Sequence, residues 1–311
     1  MNLNQFNSIK TSLTLFELSK EFSFLINLLE KKKFPKVLML SGKKGIGKAT
    51  LVNHFLTYVY DKENYNYEKK IINKNSFFYK RYLNNVITEI IYLEGSAYKS
   101  IKTDDIRSLK SSILKTSLSE KKRFIILDDL ELFNLSSLNG LLKIIEEPSK
   151  NNFFILINNK TKPLLETIRS RSIEIKLALS NLKRKKIIET LIANRNLQIS
   201  LDFSASDLTP GNFLIFNDIC NKNQININEN YNNSLEKLLS LYKKNKNINI
   251  INLILFLTEN YFHSLQEKKN SNIDKIYDTK CFVIKNINQF VSYNLNQNSL
   301  INAINIKLSN G

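Results

Sequence analysis

"FPKVLMLSGKKGIGKATLVNHFLTYVY", residues 34–60, decides the fold. Its middle departs at one position from the phosphate-loop pattern G-x-x-x-x-G-K-[ST]. Gly42, Gly47 and Lys48 fit, and Ala49 stands where the hydroxyl belongs. Before the loop, Val37 to Leu40 is a short apolar run with the character of a buried strand. After it, Leu51, Phe55, Leu56 and Val59 recur on one helical face. A glycine-rich turn between a buried strand and a helix is the setting in which such a loop works.

In a working phosphate loop the glycines let backbone N–H groups turn towards phosphate, the lysine reaches the β and γ oxygens, and a Ser or Thr hydroxyl holds Mg²⁺. Gly42, Gly45, Gly47 and Lys48 meet the first two needs. Ala49 fails the third, and Thr50 lies one residue late, about 100° further round the helix. Two readings stay open on these residues alone: a degenerate nucleotide loop, or a glycine-rich turn without a ligand.

Working outward, a strand is expected over 86–94, a helix over 102–114 capped by Thr103, and a strand over 123–129. A helix from Leu135 stopping near Pro148, a buried strand over 151–159 and an alternating strand over 173–177 follow. Residues 61–85 read as a polar, aromatic-spotted excursion. The alternation of strand and helix predicts an α/β domain with a parallel sheet. Beyond Ser180 the pattern turns helical, beginning with a basic amphipathic helix that buries Ile187, Ile188, Leu191 and Ile192.

Asp128 and Asp129 close the central strand. In ATPases of this design the first acid assists Mg²⁺ and the second, normally Glu, polarises the attacking water. Asp129 is one methylene shorter than Glu and sits too far back for that water, so hydrolysis is not expected. The same two acids also suit a purely capping role at a strand end. "IRSRS" puts Arg169 and Arg171 between a helix and an edge strand. There an arginine can reach a γ-phosphate held by a neighbour, or simply be solvated.

The chain has 46 Lys and Arg against 28 acids, a net charge of +18 that suits a polyanionic partner. Its richness in Asn, Lys and Ile explains the same excess as genome composition. Cys220 and Cys281 form no C-x-x-C pair, and His54 and His263 stand apart, so no metal site is expected. No apolar run approaches the roughly 18–20 residues of a membrane span, and the opening residues are too polar for a secretory leader. A cytoplasmic protein without membrane contact is expected. No Ser-His-Asp set, Cys-His pair or glycosidase-like carboxylate pair is present to suggest other hydrolytic chemistry.

Taken in order, "LSGKKGIGKATL", "DDIRSLKSSI", "RFIILDDLELFNLSSLNGLLKIIEEP", "NNFFILINN" and "LLETIRSRS" resemble the AAA+ clamp-loader family, most closely the delta-prime subunits of bacterial DNA polymerase III. The resemblance implies a RecA-like α/β AAA+ domain over 1–178, a small helical lid over 179–220 and an all-α C-terminal collar over 221–311. It implies a place in a ring with gamma/tau and delta subunits that opens a sliding clamp and closes it round primed DNA.

On this resemblance Arg171 is the arginine finger offered in trans to a neighbouring ATPase subunit, with Ser172 replacing the family's cysteine. Asn158 takes the sensor position, and "TPGNFL" matches the opening of the family's second sensor helix, with Asn212 replacing its arginine. The zinc module of many relatives is absent for want of cysteines. The lesions at Ala49, Asp129 and Asn212 agree with a subunit that does not turn over ATP, requires no cofactor, and at most binds ATP or ADP weakly at the degenerate loop. The alternatives are a hydrolysing gamma/tau-type subunit and a DNA-binding AAA+ remodeller outside the clamp loader.

Overall fold

A computed structural model describes residues 12–95, 106–108, 111, 122–203, 207–226, 230–268 and 273–309. The chain divides into two compact units, Met1–Ile187 with Thr209–Gly211, and Ile188–Leu208 with Asn212–Gly311.

The first unit opens with helix α1 (Ser19–Glu30), strand β1 (Val37–Ser41) and helix α2 (Lys48–Tyr60). The excursion then folds into the antiparallel pair β2 (Tyr65–Asn66) and β3 (Ile71–Ile72), followed by helix α3 (Phe77–Leu83). Ser76 caps α3 by accepting a hydrogen bond from Tyr79 N at 3.1 Å. Its aromatic spots are anchors: Tyr65, Tyr79 and Tyr82 are buried.

Next come β4 (Ile90–Glu94), β5 (Arg123–Asp128), α4 (Leu135–Ile145), β6 (Asn152–Asn158), the short turn α5 (Glu166–Arg169) and β7 (Ile173–Lys176). The expected strand from residue 86 begins four residues later. Asn85 adopts a left-handed φ of 56°, and Val86 N bonds back to Arg81 O, so this stretch still belongs to the end of α3. The helix expected over 102–114 lies mostly outside the described residues; Ile106 to Ser108 is helical, and Ile106 is buried.

Five strands form one parallel sheet in the order β4-β5-β6-β1-β7. Successive residues alternate between its faces. Leu38, Leu40, Phe124, Ile126, Ile155 and Ile157 pack with α1 and α2 on one side. Val37, Met39, Ile125, Leu127, Phe154 and Leu156 pack with Ile106 and α4 on the other. Burial on both faces is why these strands read as continuous apolar runs. On α4, Leu138, Leu141, Ile144 and Ile145 are buried, while Leu135, in its first turn, is 61% exposed. A five-stranded parallel sheet with helices on both faces, preceding an all-helical region, is the RecA-like AAA+ arrangement expected.

The second unit is helical in its described residues. Helix α6 (Asn181–Arg195) runs into it from the first unit, and α7 (Pro210–Lys222) precedes α8 (Tyr231–Asn245), α9 (Ile248–Lys268), α10 (Ile273–Tyr293) and α11 (Gln297–Ser309). Each of α8 to α11 packs on the next, and α11 packs back on α8. Leu238, Leu253, Ile254, Val283, Ile287, Phe290 and Ile304 fill their common core, which also takes in Phe213 and Cys220 of α7. No helix among the described residues is long and apolar enough to cross a membrane.

Candidate functional site

The carboxyl ends of β1, β5 and β6 converge on the glycine-rich loop, where an open α/β sheet carries its ligands. Gly47, at φ 101°, turns the chain into α2, a left-handed conformation that strains any residue with a Cβ. Lys48 follows as the first residue of the helix. Its ammonium does not reach outward: Nζ donates to the carbonyls of Gly42 at 2.7 Å and Lys43 at 2.8 Å. The side chain is buried, and desolvation lowers its pKa to about 8 against the opposing pull of Asp128, Glu131 and Asp129.

Asp128 ends β5 with both oxygens engaged. Tyr92 OH donates to Oδ2 at 2.5 Å, and Asp129 N donates to Oδ1 at 2.8 Å. Burial pushes its carboxyl up to about 6, and the nearby Asp129 and Glu94 act in the same direction. Asp129 takes a left-handed φ of 50°, which ends the strand and turns its side chain away from the strand direction. Its carboxylate accepts from Asn159 Nδ2 at 2.6 Å and lies 3.2 Å from Lys44 Nζ, a residue of the loop itself. Glu131 completes the cluster by accepting from the Asn159 amide at 3.1 Å and from Thr161 Oγ1 at 2.8 Å.

The sensor-position residue Asn158 is buried at the end of β6. Its Oδ1 accepts from Lys160 N at 2.9 Å, and its main-chain carbonyl accepts from Gly42 N at 3.2 Å. Asn159, the neighbour the sequence reading passed over, is the one that contacts the strand-end acid. Adjacent residues leaving a strand point opposite ways, and the motif spacing did not reveal which of the two would face Asp129. No pattern marks Lys44, which stands at an unspecified position of the loop, or Glu131, which lies two residues beyond the strand-end acids.

Residues 209–211 close over the loop. Thr209 Oγ1 donates to the Lys44 carbonyl at 2.7 Å, and Gly211 N donates to the Gly45 carbonyl at 2.8 Å. The approach is so close that a Cβ on Gly211 would come within 2.7 Å of Gly45 Cα. Asn212, next along α7, is half-buried. Thr50 is half-buried on α2, beside the buried Ala49.

These residues do not fit a hydrolysis-competent Mg²⁺–nucleotide. A methyl group stands at the metal-ligating position 49, two of the three Lys48 ammonium donors go to loop carbonyls, and Asp129 is held by Lys44 and Asn159. Among the described residues no group of three His, Cys, Asp or Glu could hold a metal ion. His54 is a packed residue, bonded to Tyr65 OH at 2.9 Å and the Ser12 carbonyl at 3.2 Å, and burial lowers its pKa to about 4.

Arg171 lies between α5 and the edge strand β7, as its motif suggested. Its side chain is 36% exposed but not loose. Nε donates to Glu146 Oε1 at 2.9 Å, Nη2 lies 2.6 Å from the same oxygen, and Nη1 donates to the Thr167 carbonyl at 2.9 Å. Ser172 fills the cysteine position and donates its hydroxyl to the Ile168 carbonyl at 3.1 Å, closing the α5 turn. Arg169 instead pairs with Glu166 at 3.2 Å and lies 3.7 Å from Glu174.

The model of the family described as DNA polymerase III, delta subunit matches residues 18–181. The chain is 33% identical over 78 residues to DNA polymerase III subunit delta' of Pseudomonas aeruginosa, covering 25% of this chain and 24% of that protein. It is 36% identical over 72 residues to subunit delta' of Bacillus subtilis, covering 23% and 22%. It is 25% identical over 150 residues to subunit tau of the same organism, covering 47% and 25%. Each match thus spans about a quarter of the relative's length. Among solved structures, a gamma subunit-related protein of Thermotoga maritima aligns with a TM-score of 0.47 at 15% identity, covering 92% of this chain and 98% of that one. Since the family match takes in the loop, both strand-end acids and Arg171, more than half the chain in all, this protein belongs to the DNA polymerase III delta-subunit family, on the delta-prime-like side of the AAA+ clamp loaders.

Proposed function

We propose that the chain is a delta-prime-type clamp-loader subunit that does not turn over ATP and offers Arg171 in trans to a neighbouring ATPase subunit. One contrast carries this reading: the loop lysine and the second strand-end acid are buried in contacts within the chain, while Arg171, though bonded to Glu146 and Thr167, keeps a third of its side chain in solvent. A guanidinium delivered across a subunit boundary can stabilise the charge that builds on a transferring γ-phosphate. The partners on this reading are gamma/tau and delta subunits, the sliding clamp and primed DNA, with the net charge of +18 favouring the DNA. The subunit requires no cofactor for this role, and any ATP or ADP binding at the loop is weak.

The relatives include tau and gamma subunits as well as delta', so the hydrolysing gamma/tau-type role is the competing reading. Ala49 and the engaged Lys48 weigh against it. The test is clamp- and DNA-stimulated ATPase of the reconstituted loader carrying Arg171→Ala. Loss of a finger lowers turnover at the neighbouring site by on the order of 10³-fold with assembly intact. An unchanged rate would remove the finger and leave a scaffold role.

A further inference from the structure

Arg171 is held by two different elements. Glu146, the C-cap of α4, receives the Nε edge of the guanidinium, and Thr167, within α5, receives an N–H of Nη1 through its main-chain carbonyl. A guanidinium has five N–H groups, so this arrangement still leaves N–H groups on Nη1 and Nη2 for an incoming oxyanion. An unrestrained arginine carries substantial rotamer entropy, which must be lost when it engages a phosphate. Contacts that fix the side chain beforehand remove part of that cost.

From this geometry we propose that Glu146 is the positioning residue of Arg171: it sets the guanidinium in the orientation used at the neighbour's nucleotide, without touching that nucleotide. The proposal rests on the reading of Arg171 as a finger. The alternative role for a carboxylate here is a brake that withholds the arginine. With 36% of the Arg171 side chain and 45% of the Glu146 side chain exposed, the pair is a weak, solvent-screened ion pair. That is too little to withhold a cation from a multiply charged phosphate, but enough to bias a rotamer.

The experiment compares Arg171→Ala, Glu146→Ala, Glu146→Gln and the double variant R171A/E146A in the reconstituted loader, separating kcat from KM for ATP. Glu146→Ala is expected to lower kcat about fivefold, with KM and assembly unchanged. Glu146→Gln, which keeps the acceptor oxygen, recovers most of that loss, and Glu146→Ala adds nothing to Arg171→Ala. A Glu146→Ala rate that is unchanged or faster, or a Glu146→Gln no better than Glu146→Ala, overturns the proposal. If Arg171→Ala costs about 10³-fold while Glu146→Ala costs nothing, the finger stands and Glu146 has no part in it. If Arg171→Ala is itself silent, the finger falls and Glu146's role with it.

Discussion

The carboxylate of Asp129 accepts a 2.6 Å hydrogen bond at Oδ1 from Asn159 Nδ2, and both of its oxygens lie 3.2 Å from Nζ of Lys44 in the glycine-rich loop. The strand-end acid therefore ties β5, β6 and the loop to one another. Three of its roughly four acceptor sites are thereby given to contacts within the chain.

One outcome concerns nucleotide. With Lys48 and Asp129 engaged internally, Mg²⁺–ATP should bind no tighter than about 1 mM. At about 1 mM ligand the linkage stabilisation then stays below about 0.4 kcal/mol, a Tm change of about 1 °C or less. Differential scanning fluorimetry of the full chain with and without Mg²⁺–ATP checks this. A rise of several degrees would mean that the loop opens and accepts the ligand.

Two buried titrating groups in the first unit should oppose each other in acid. Asp128 titrates near 6 when folded and near 3.8 when unfolded, so between those values the folded state holds the extra proton. Its contribution, about 3 kcal/mol, is present below pH 3.8 and is lost as pH rises through 6. His54 titrates near 4 when folded and 6.5 when unfolded, so there the unfolded state holds the extra proton, and about 3 kcal/mol is lost as pH falls from 6.5 to 4. The two nearly cancel in the native chain. Urea midpoints across pH 4–6.5 should rise with pH in Asp128→Asn and fall with pH in His54→Gln. Parallel profiles in the two variants would contradict the assignment.

The contact between residue 211 and the loop leaves no room for a side chain. Gly211→Ala would bring a Cβ to 2.7 Å from Gly45 Cα and 3.0 Å from its carbonyl oxygen. Backbone must shift to relieve the clash, at a cost of about 1–3 kcal/mol. Thr209→Val should lose about 1 kcal/mol, for one hydrogen bond to Lys44 O. Chemical denaturation of both variants tests the closure; a Gly211→Ala protein as stable as the parent would show that the contact yields freely.

Much of the first unit was legible because its chemistry is local. Val37–Leu40, Phe124–Leu127 and Phe154–Ile157 are buried on both faces, and such short unbroken apolar runs are what an interior parallel strand requires. The excursion after α2 was legible only as polar. Of its anchors, Tyr65 lies between exposed Asn64 and Asn66, Tyr79 precedes exposed Lys80 and Tyr82 follows exposed Arg81, so the local composition does not mark which residue turns inward. Arg171 could be located from its motif, but its partner could not. Glu146 follows α4 and meets Arg171 only because α4 and α5 pack together. Lys44, Asn159 and Gly211 are likewise joined by the fold across long stretches of chain.

The place of β1 between β6 and β7, two strands made much later, also bears on how the protein folds as it is made. Val37 pairs with Phe154, and Leu38 pairs with Ile173 on the other side, so the strand beneath the loop has neither neighbour when it leaves the ribosome. At about 5–20 residues per second, β1 waits roughly 6–23 s for β6. Until then the apolar flanks of Leu38, Met39 and Leu40 are open to whatever else binds an extended hydrophobic segment. Pairings this distant in sequence also slow folding, because the loop must close before any contact rewards it. The glycine-rich loop, which leaves the end of β1, therefore lacks its supports from β6 and β7 until most of the first unit has been made.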